Sequence, residues 1–439
     1  MRRLAVCLVA FGALLSATDS HAQAGPVSLE FSFSNPGARS MGFGGAFVAL
    51  ADDATAAFAN PAGLYQLARP EVSIEGRYWR YDTPYTEGGR LNGDPTGLGL
   101  DTTGGLRFGM SEDDVAGQSF LSFVFPVKKT SVALYRHQLS KFASTLETQG
   151  FFFDPPGGPT DRLSDFRVHT DLDIVTYGIS AAFRLSDAFS VGLGISYFEA
   201  DIVFRNEEFA VQDPTDPVSL FGPNPYLADR RVVSTETVTN DSDWKFIAGF
   251  VWHVGERWRI GSAYRAGPEF EMDVSAVAGP LLDPGVPPGT VIGIARTPLE
   301  LPDVLALGLT YRSRSEALTL SFEWDRVEYS TITESLDRDV FDDLPIADDA
   351  DELRAGLEYV FSRTEPVVAV RFGIWRDPDH RLRATDDATL FEQAFFQPGG
   401  DEFHVAAGAG FVWRSVQLDV GVDSSDVVDT ASASVIYRF

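Results

Sequence analysis

From Glu71 onward, apolar residues recur at every second position. Leu318, Leu320, Phe322 and Trp324 alternate with Thr319, Ser321, Glu323 and Asp325. Leu305, Leu307, Leu309 and Tyr311 alternate with Ala306, Gly308, Thr310 and Arg312, and Leu353, Ala355, Leu357, Tyr359 and Phe361 with Arg354, Gly356 and Glu358. This is the period of a strand, not the 3.6-residue period of a helix. Successive strand side chains point to opposite faces, so each segment has one apolar face and one small or charged face. In a soluble sandwich the apolar face is core. In an outer-membrane barrel it meets lipid, and the polar face lines the lumen.

Segment lengths separate these two folds. The alternation predicts strands over 71–83, 118–127, 130–144, 169–185, 189–205, 243–254, 258–277, 297–313, 318–332, 349–362, 367–379, 401–414, 416–426 and 430–439. These are fourteen, and most are longer than the five or six residues usual in soluble proteins. About ten tilted residues cross a bilayer. Tight turns at Lys128-Lys129, Ser186–Ala188, Gly255–Arg257 and Ser415 alternate with the longer segments 84–117, 145–168, 206–242, 278–296, 333–348 and 380–400. Short turns at one end and long loops at the other predict an all-β fold, a transmembrane antiparallel β-barrel of about 14 strands over residues 71–439. The last strand alternates Ala433, Val435, Tyr437 and Phe439 with polar and small residues. Its terminal Phe439 resembles the signal read by the bacterial outer-membrane insertion machinery.

Arg2 and Arg3, the apolar run Leu4–Leu15 and Ala22-Gln23-Ala24 read as a cleaved signal peptide over 1–24. Cys7 lies inside it, so the exported chain is expected to carry no disulfide. No later apolar run reaches the 18 residues of a helical span. A formal net charge of −28 argues against nucleic acid, whose phosphates demand Lys and Arg. Such acidity beside 34 Phe and 40 Gly is odd for a soluble protein. A barrel resolves it: Phe faces lipid, Gly thins the lumen, and acid collects in lumen and loops. The acidic run Glu334–Glu352 reads as a solvated loop. The chain lacks His-Glu-x-x-His and Gly-x-Ser-x-Gly, so no catalytic residue, metal site or cofactor is assigned. His404, on an inward position, suits a lumen hydrogen bond better than the Ser–His site of a barrel phospholipase.

Residues 25–70 break the alternation and are rich in Gly, Ala, Asn and Pro. Without a βαβ frame, Gly42, Gly44 and Gly45 are not a dinucleotide-binding turn. Small residues suit a plug folded inside a lumen, and Asp52–Ala57 can form a short capped helix ended by Asn60-Pro61. The run Gly44-Gly-Ala-Phe-Val-Ala-Leu-Ala-Asp-Asp-Ala-Thr-Ala-Ala-Phe-Ala-Asn-Pro-Ala-Gly63 resembles the plug of FadL/TodX-family outer-membrane transporters. Gly44, Gly45, Asp52, Asp53, Asn60, Pro61 and Ala62 carry the likeness. Leu301-Pro302, Trp324, Leu353–Tyr359 and Val370–Pro378 extend it through the barrel.

The resemblance implies a fourteen-stranded barrel plugged by an amino-terminal hatch. It implies passive uptake of hydrophobic small molecules, such as long-chain fatty acids or aromatic hydrocarbons, past lipopolysaccharide. Ligand would leave sideways into outer-membrane lipid through a gap at a kinked third strand, yet Thr130–Ser144 has no Gly or Pro to kink it. Phe31, Phe33, Phe43, Phe47 and Phe58 in the plug are then candidate ligand contacts. Arg39 would pair with a ligand carboxylate or with an inward acid such as Glu323, Asp325 or Glu358. Phe151-Phe152-Phe153 and Phe395-Phe396 are expected as exposed loop aromatics, in a capture site or an interfacial belt. A monomer is expected. The rival reading is a non-transporting barrel serving protein secretion, since the PorV-type component is similar and has a related Gly-rich plug.

Overall fold

The computed structural model describes residues 33, 35–211, 226–335, 345–386, 388 and 390–439. The leader and Phe31 lie outside them, as do residues 336–344 of the acidic run; its far end differs from the solvated loop expected, since Glu352 is buried in a strand. Fourteen antiparallel strands run β1 (Glu71–Arg90), β2 (Leu106–Val127), β3 (Thr130–Thr148), β4 (Asp165–Arg184), β5 (Phe189–Phe209), β6 (Arg231–Val254), β7 (Trp258–Arg265, resuming over Glu269–Ala278), β8 (Val291–Glu300, resuming over Val304–Arg312), β9 (Leu318–Val327), β10 (Ala350–Phe361), β11 (Val367–Asp377), β12 (Glu402–Trp413), β13 (Val416–Ser424) and β14 (Val428–Arg438). Each pairs with its neighbour in the chain, and β1 closes on β14 from Glu71↔Arg438 to Tyr81↔Val428. Closure pairs the two ends of the sheet, which suits lipid, where an unpaired backbone group is costly.

The alternation sorts as the pattern predicts. On β9, Thr319, Ser321, Glu323 and Asp325 are buried inward, whereas Phe322 is 57% exposed on the outer face. Leu305, Leu307, Leu353, Phe372 and Val420 are likewise exposed, forming the apolar band that meets lipid.

Several boundaries differ from the expectation. β1 to β6 each run past 18 residues (β6 has 24), so polar sequence read as loop continues as strand above the bilayer. There the strand needs no apolar face, so the alternation fades while the ladder persists. β7 and β8, read as continuous, are broken at Gly267-Pro268 and Pro302, because proline lacks the N–H a ladder requires. β9 stops at Val327, and Ser330–Ser335 forms a short helix instead. Of the long-loop-side connections, the one from β13 to β14 is a tight turn at Ser425–Val427.

Asn35–Leu67 lies inside the barrel as short pieces: α1 (Ala38–Gly42), α2 (Ala56–Ala59) and a 3₁₀ turn (Pro61–Gln66). Ahead of α2, Asp53 Oδ1 accepts from Thr55 N at 3.0 Å and Thr55 Oγ1 at 2.5 Å. Asn60 follows α2 and accepts from Ala62 N at 3.1 Å at the start of the 3₁₀ turn. The short helix expected near Asp52–Ala57 is present but shifted to Ala56–Ala59, and it lacks the side-chain cap expected of it.

Candidate functional site

The inner segment is seated by glycines of the wall. Four cross-strand pairs place glycine opposite glycine: Gly192↔Gly249, Gly261↔Gly308, Gly356↔Gly373 and Gly408↔Gly421. All eight meet the inner segment so closely that a side chain would collide. A Cβ at Gly192 would stand 2.1 Å from Ala62 N, at Gly249 2.3 Å from Asn60 Oδ1, at Gly261 2.5 Å from Ala49 Cα, and at Gly356 2.2 Å from Phe43 O. The opposing Gly44 and Gly45 adopt φ of 68° and 75°, a conformation that favours glycine. The Asn60-Pro61-Ala62 triplet thus docks on β5 and β6, and Asn60 Nδ2 also donates to Val48 O at 2.8 Å and Phe250 O at 3.1 Å.

Charge ties the same segment down. Arg39 reaches Asp52 at 2.6 Å, Glu358 at 3.1 Å and Asp53 at 3.2 Å. Asp52 also meets Arg312 at 2.8 Å and Arg259 at 3.7 Å. Burial alone would raise the Asp52 carboxyl, but Arg39, then Arg259 and Arg312, outweigh it and hold it below the ordinary carboxylate range. Glu323 accepts from Val48 N at 2.6 Å.

Above this seat the inner surface is apolar. One contiguous buried cluster joins Phe43, Phe47 and Phe58 to Leu139 and Phe142 of β3, Ile174 of β4, Phe198 of β5 and Met272 of β7. It extends to Ile332 of the 330–335 helix, which forms α3. Phe33 packs against it, its ring 5.9 Å from Tyr329. Beside it, a cavity of ≈ 50 Å³ is lined by Met41, Trp79, Tyr81, Trp375 and His404 among others. His404 Nδ1 lies 2.6 Å from Asp423 and its ring stacks on Trp375 at 3.7 Å, which is the lumen hydrogen bond anticipated for it.

Among the described residues, the loop aromatics at the outer end are packed together. Phe151 and Phe152 are 0% and 5% exposed, which corrects the expectation of an exposed patch. Phe151 packs at 4.9 Å on Phe395 of α4 (Leu390–Phe395), a loop residue distant in sequence that periodicity could not pair with it. Below them the buried Arg90 binds Asp101 at 2.6 Å and also pairs with Asp154.

The wall parts at one place. β2 and β3 are paired only from Val127↔Thr130 to Phe120↔His137. Above that pair β2 continues on β1 and β3 on β4, each through a β-bulge: Ser119 is the extra residue between the pairs Glu75↔Phe120 and Gly76↔Gln118, and Leu139 the extra residue between Gln138 and Ser140. Inward residues of β3 are odd-numbered below the bulge (Tyr135, His137) and even-numbered above it (Phe142, Ser144, Leu146). The third strand is therefore bent without Gly or Pro, because an inserted residue suffices to break register. Side-chain hydrogen bonds cross this opening, from Arg136 Nη1 to Gln118 O at 2.5 Å and from Ser111 Oγ to Thr145 O at 3.1 Å, as they do between β6 and β7 near Pro268, where Asp241 and Asp243 each accept from a β7 backbone N–H at 2.9 Å.

A profile of the family described as "Outer membrane protein transport protein (OMPP1/FadL/TodX)" matches residues 14–432. The chain belongs to this family. Its fold is similar to that of a Pseudomonas aeruginosa FadL homologue, with a TM-score of 0.62 at 17% identity, covering 95% of this chain and 100% of the other. The Ralstonia pickettii toluene transporter TbuX aligns with a TM-score of 0.52 at 14% identity, over 93% and 99% of the two chains. The Pseudomonas putida toluene transporter TodX aligns with a TM-score of 0.56 at 12% identity, over 93% and 99%. A comparison with curated proteins finds no match. This FadL/TodX-family chain is thus a β-barrel of the outer membrane.

Of the residues singled out in the sequence, Phe33, Phe43, Phe47 and Phe58 converge on the apolar cluster, and Arg39 lies below it among carboxylates. Sequence reading missed Ser119, His137 and Leu139. Their role depends on where two ladders diverge, and alternation within one strand carries no sign of that.

Proposed function

We propose that this chain passively carries hydrophobic small molecules, of the long-chain fatty acid or aromatic hydrocarbon type, from the cell surface into the membrane. The observation that carries this reading is the contiguous apolar cluster inside the barrel, which runs from Ile332 and Ala347 in the connections to Phe58. Phe58 packs on β3 at Tyr135 (6.0 Å) and His137 (4.5 Å), immediately below the parting of β2 from β3. Lipopolysaccharide excludes apolar solutes, whereas a dry, apolar interior admits them. A scaffold for secretion would have no need of a contiguous apolar path.

In this reading the inner segment is a plug, and passage requires it to move from its glycine seat. Transporter-null cells that express this chain are expected to take up a labelled alkylbenzene or fatty acid faster than the same cells without it. Uptake that is absent from the unmodified protein in these cells rejects the transport reading.

A further inference from the structure

At the foot of the β2–β3 parting, three buried polar groups lack a hydrogen-bond partner among the described residues. They are Ser119 Oγ, His137 Nε2 and Thr176 Oγ1. Their residues are 0%, 1% and 0% exposed. They occupy neighbouring strands at one height: His137 is opposite Phe120, the residue after Ser119, on one side and opposite Thr176 on the other. The surroundings are apolar and aromatic, with Phe58 at 4.5 Å and Phe120 at 5.9 Å from the imidazole. An unpaired buried polar group is expensive, and three together in a path built for apolar molecules call for a polar partner that comes and goes.

The geometry points to a head-group station: Ser119, His137 and Thr176 take the hydroxyl of a hydrophobic alcohol or phenol as it turns from the lumen into the wall. This rests on the transport reading above. The choice of hydroxyl follows from the imidazole. His137 Nδ1 lies 3.2 Å from Ser119 O, and a carbonyl only accepts, so Nδ1 carries the hydrogen and Nε2 presents a lone pair. The ligand must therefore donate, which a carboxylate or a plain hydrocarbon cannot do. Its oxygen then accepts from the Thr176 or Ser119 hydroxyl, so one O–H group answers both needs. Nearby cations are occupied. Arg77 holds Glu75 at 2.8 Å, Arg136 donates to Gln118 O at 2.5 Å, and Arg265, whose guanidinium faces the Phe58 ring at 5.5 Å, donates to Asn35 Oδ1 at 3.3 Å.

The test compares 4-pentylphenol with pentylbenzene, binding each to the full-length barrel in detergent. The unmodified protein is expected to bind the phenol about fivefold more tightly, the scale of one or two net hydrogen bonds. Thr176→Val and His137→Phe are each expected to bring that ratio toward one. Thr176→Val is nearly isosteric, so it decides the matter if His137→Phe fails to give the heat-modifiable mobility of a folded barrel. A ratio of one in the unmodified protein, or a ratio that Thr176→Val leaves intact, overturns the station. If pentylbenzene also fails to bind, the transport reading falls with it. If pentylbenzene binds and the hydroxyl gains nothing, the station alone falls.

Discussion

At the scale of single residues, glycine does the work that large side chains do in most cores. A wall position that receives a plug backbone must give up its Cβ, and eight lumen positions have done so. The effect is local and therefore separable. Gly356→Ala would drive a methyl to 2.2 Å from Phe43 O, whereas a Cβ at Gly293 has nothing nearer than Ala276 Cβ at 3.7 Å. Gly356→Ala is expected to cost about 1–3 kcal/mol through overpacking, and Gly293→Ala close to nothing. The shift in unfolding midpoint measured for both in the same detergent checks this; equal shifts would contradict the seat. The Asn60-Pro61-Ala62 motif was legible in the sequence, as was the abundance of glycine. That the two are halves of one contact was not, because Gly192 and Gly249 lie more than a hundred residues away.

At the scale of elements, strand breaks and bulges decide where the wall can open. The prolines at 268 and 302 announce their breaks, though alternation on both sides reads through them. The bulges at Ser119 and Leu139 leave no compositional mark, since any residue can be the inserted one. The packing at the outer end is likewise a property of elements meeting, and it is expected to respond to pH. Burial would raise the Asp101 carboxyl, but hydrogen bonds from Thr96 and the Arg90 guanidinium leave it below its ordinary value. Thr160 and Arg90 lower the Asp154 carboxyl in the same way. Both titrate lower in the folded chain than in the unfolded one. Their stabilising contribution is complete above the unfolded value of about 4 and is lost as pH falls through the folded values. Pepsin cleavage within 91–105 and 149–164 is therefore expected to accelerate steeply below about pH 4. A flat profile, once corrected for the enzyme's own pH dependence, would show that these ion pairs do not hold this packing together.

At the scale of the whole molecule, one ion network joins the plug to widely separated strands. Arg39 and Asp52 on the inner segment link Arg259 of β7, Arg312 of β8 and Glu358 of β10, and Glu358 passes the contact to Arg371 of β11 at 2.7 Å. Removing the central cation strands the buried Asp53, whereas Asp52 keeps Arg312 and Arg259 and Glu358 keeps Arg371. Arg39→Ala is expected to lower stability by about 3–5 kcal/mol, and a second change, Asp53→Asn, to recover part of it by removing the stranded charge. Thermal unfolding of the single and double variants measures the coupling. Additive losses would mean that Arg39 serves the fold through packing instead.

The sequence by itself determined that this chain is a transmembrane barrel, how many strands it has, and that a small-residue segment fills it. Those features depend on a two-residue period, on strand lengths set by bilayer thickness, and on composition, and each is written locally. Only the tertiary structure decided that Phe151 packs on Phe395, that glycine faces glycine beneath the inner segment, and that β2 leaves β3 at His137. These depend on which residues of different strands stand side by side. Register and closure fix that, and no single strand records it.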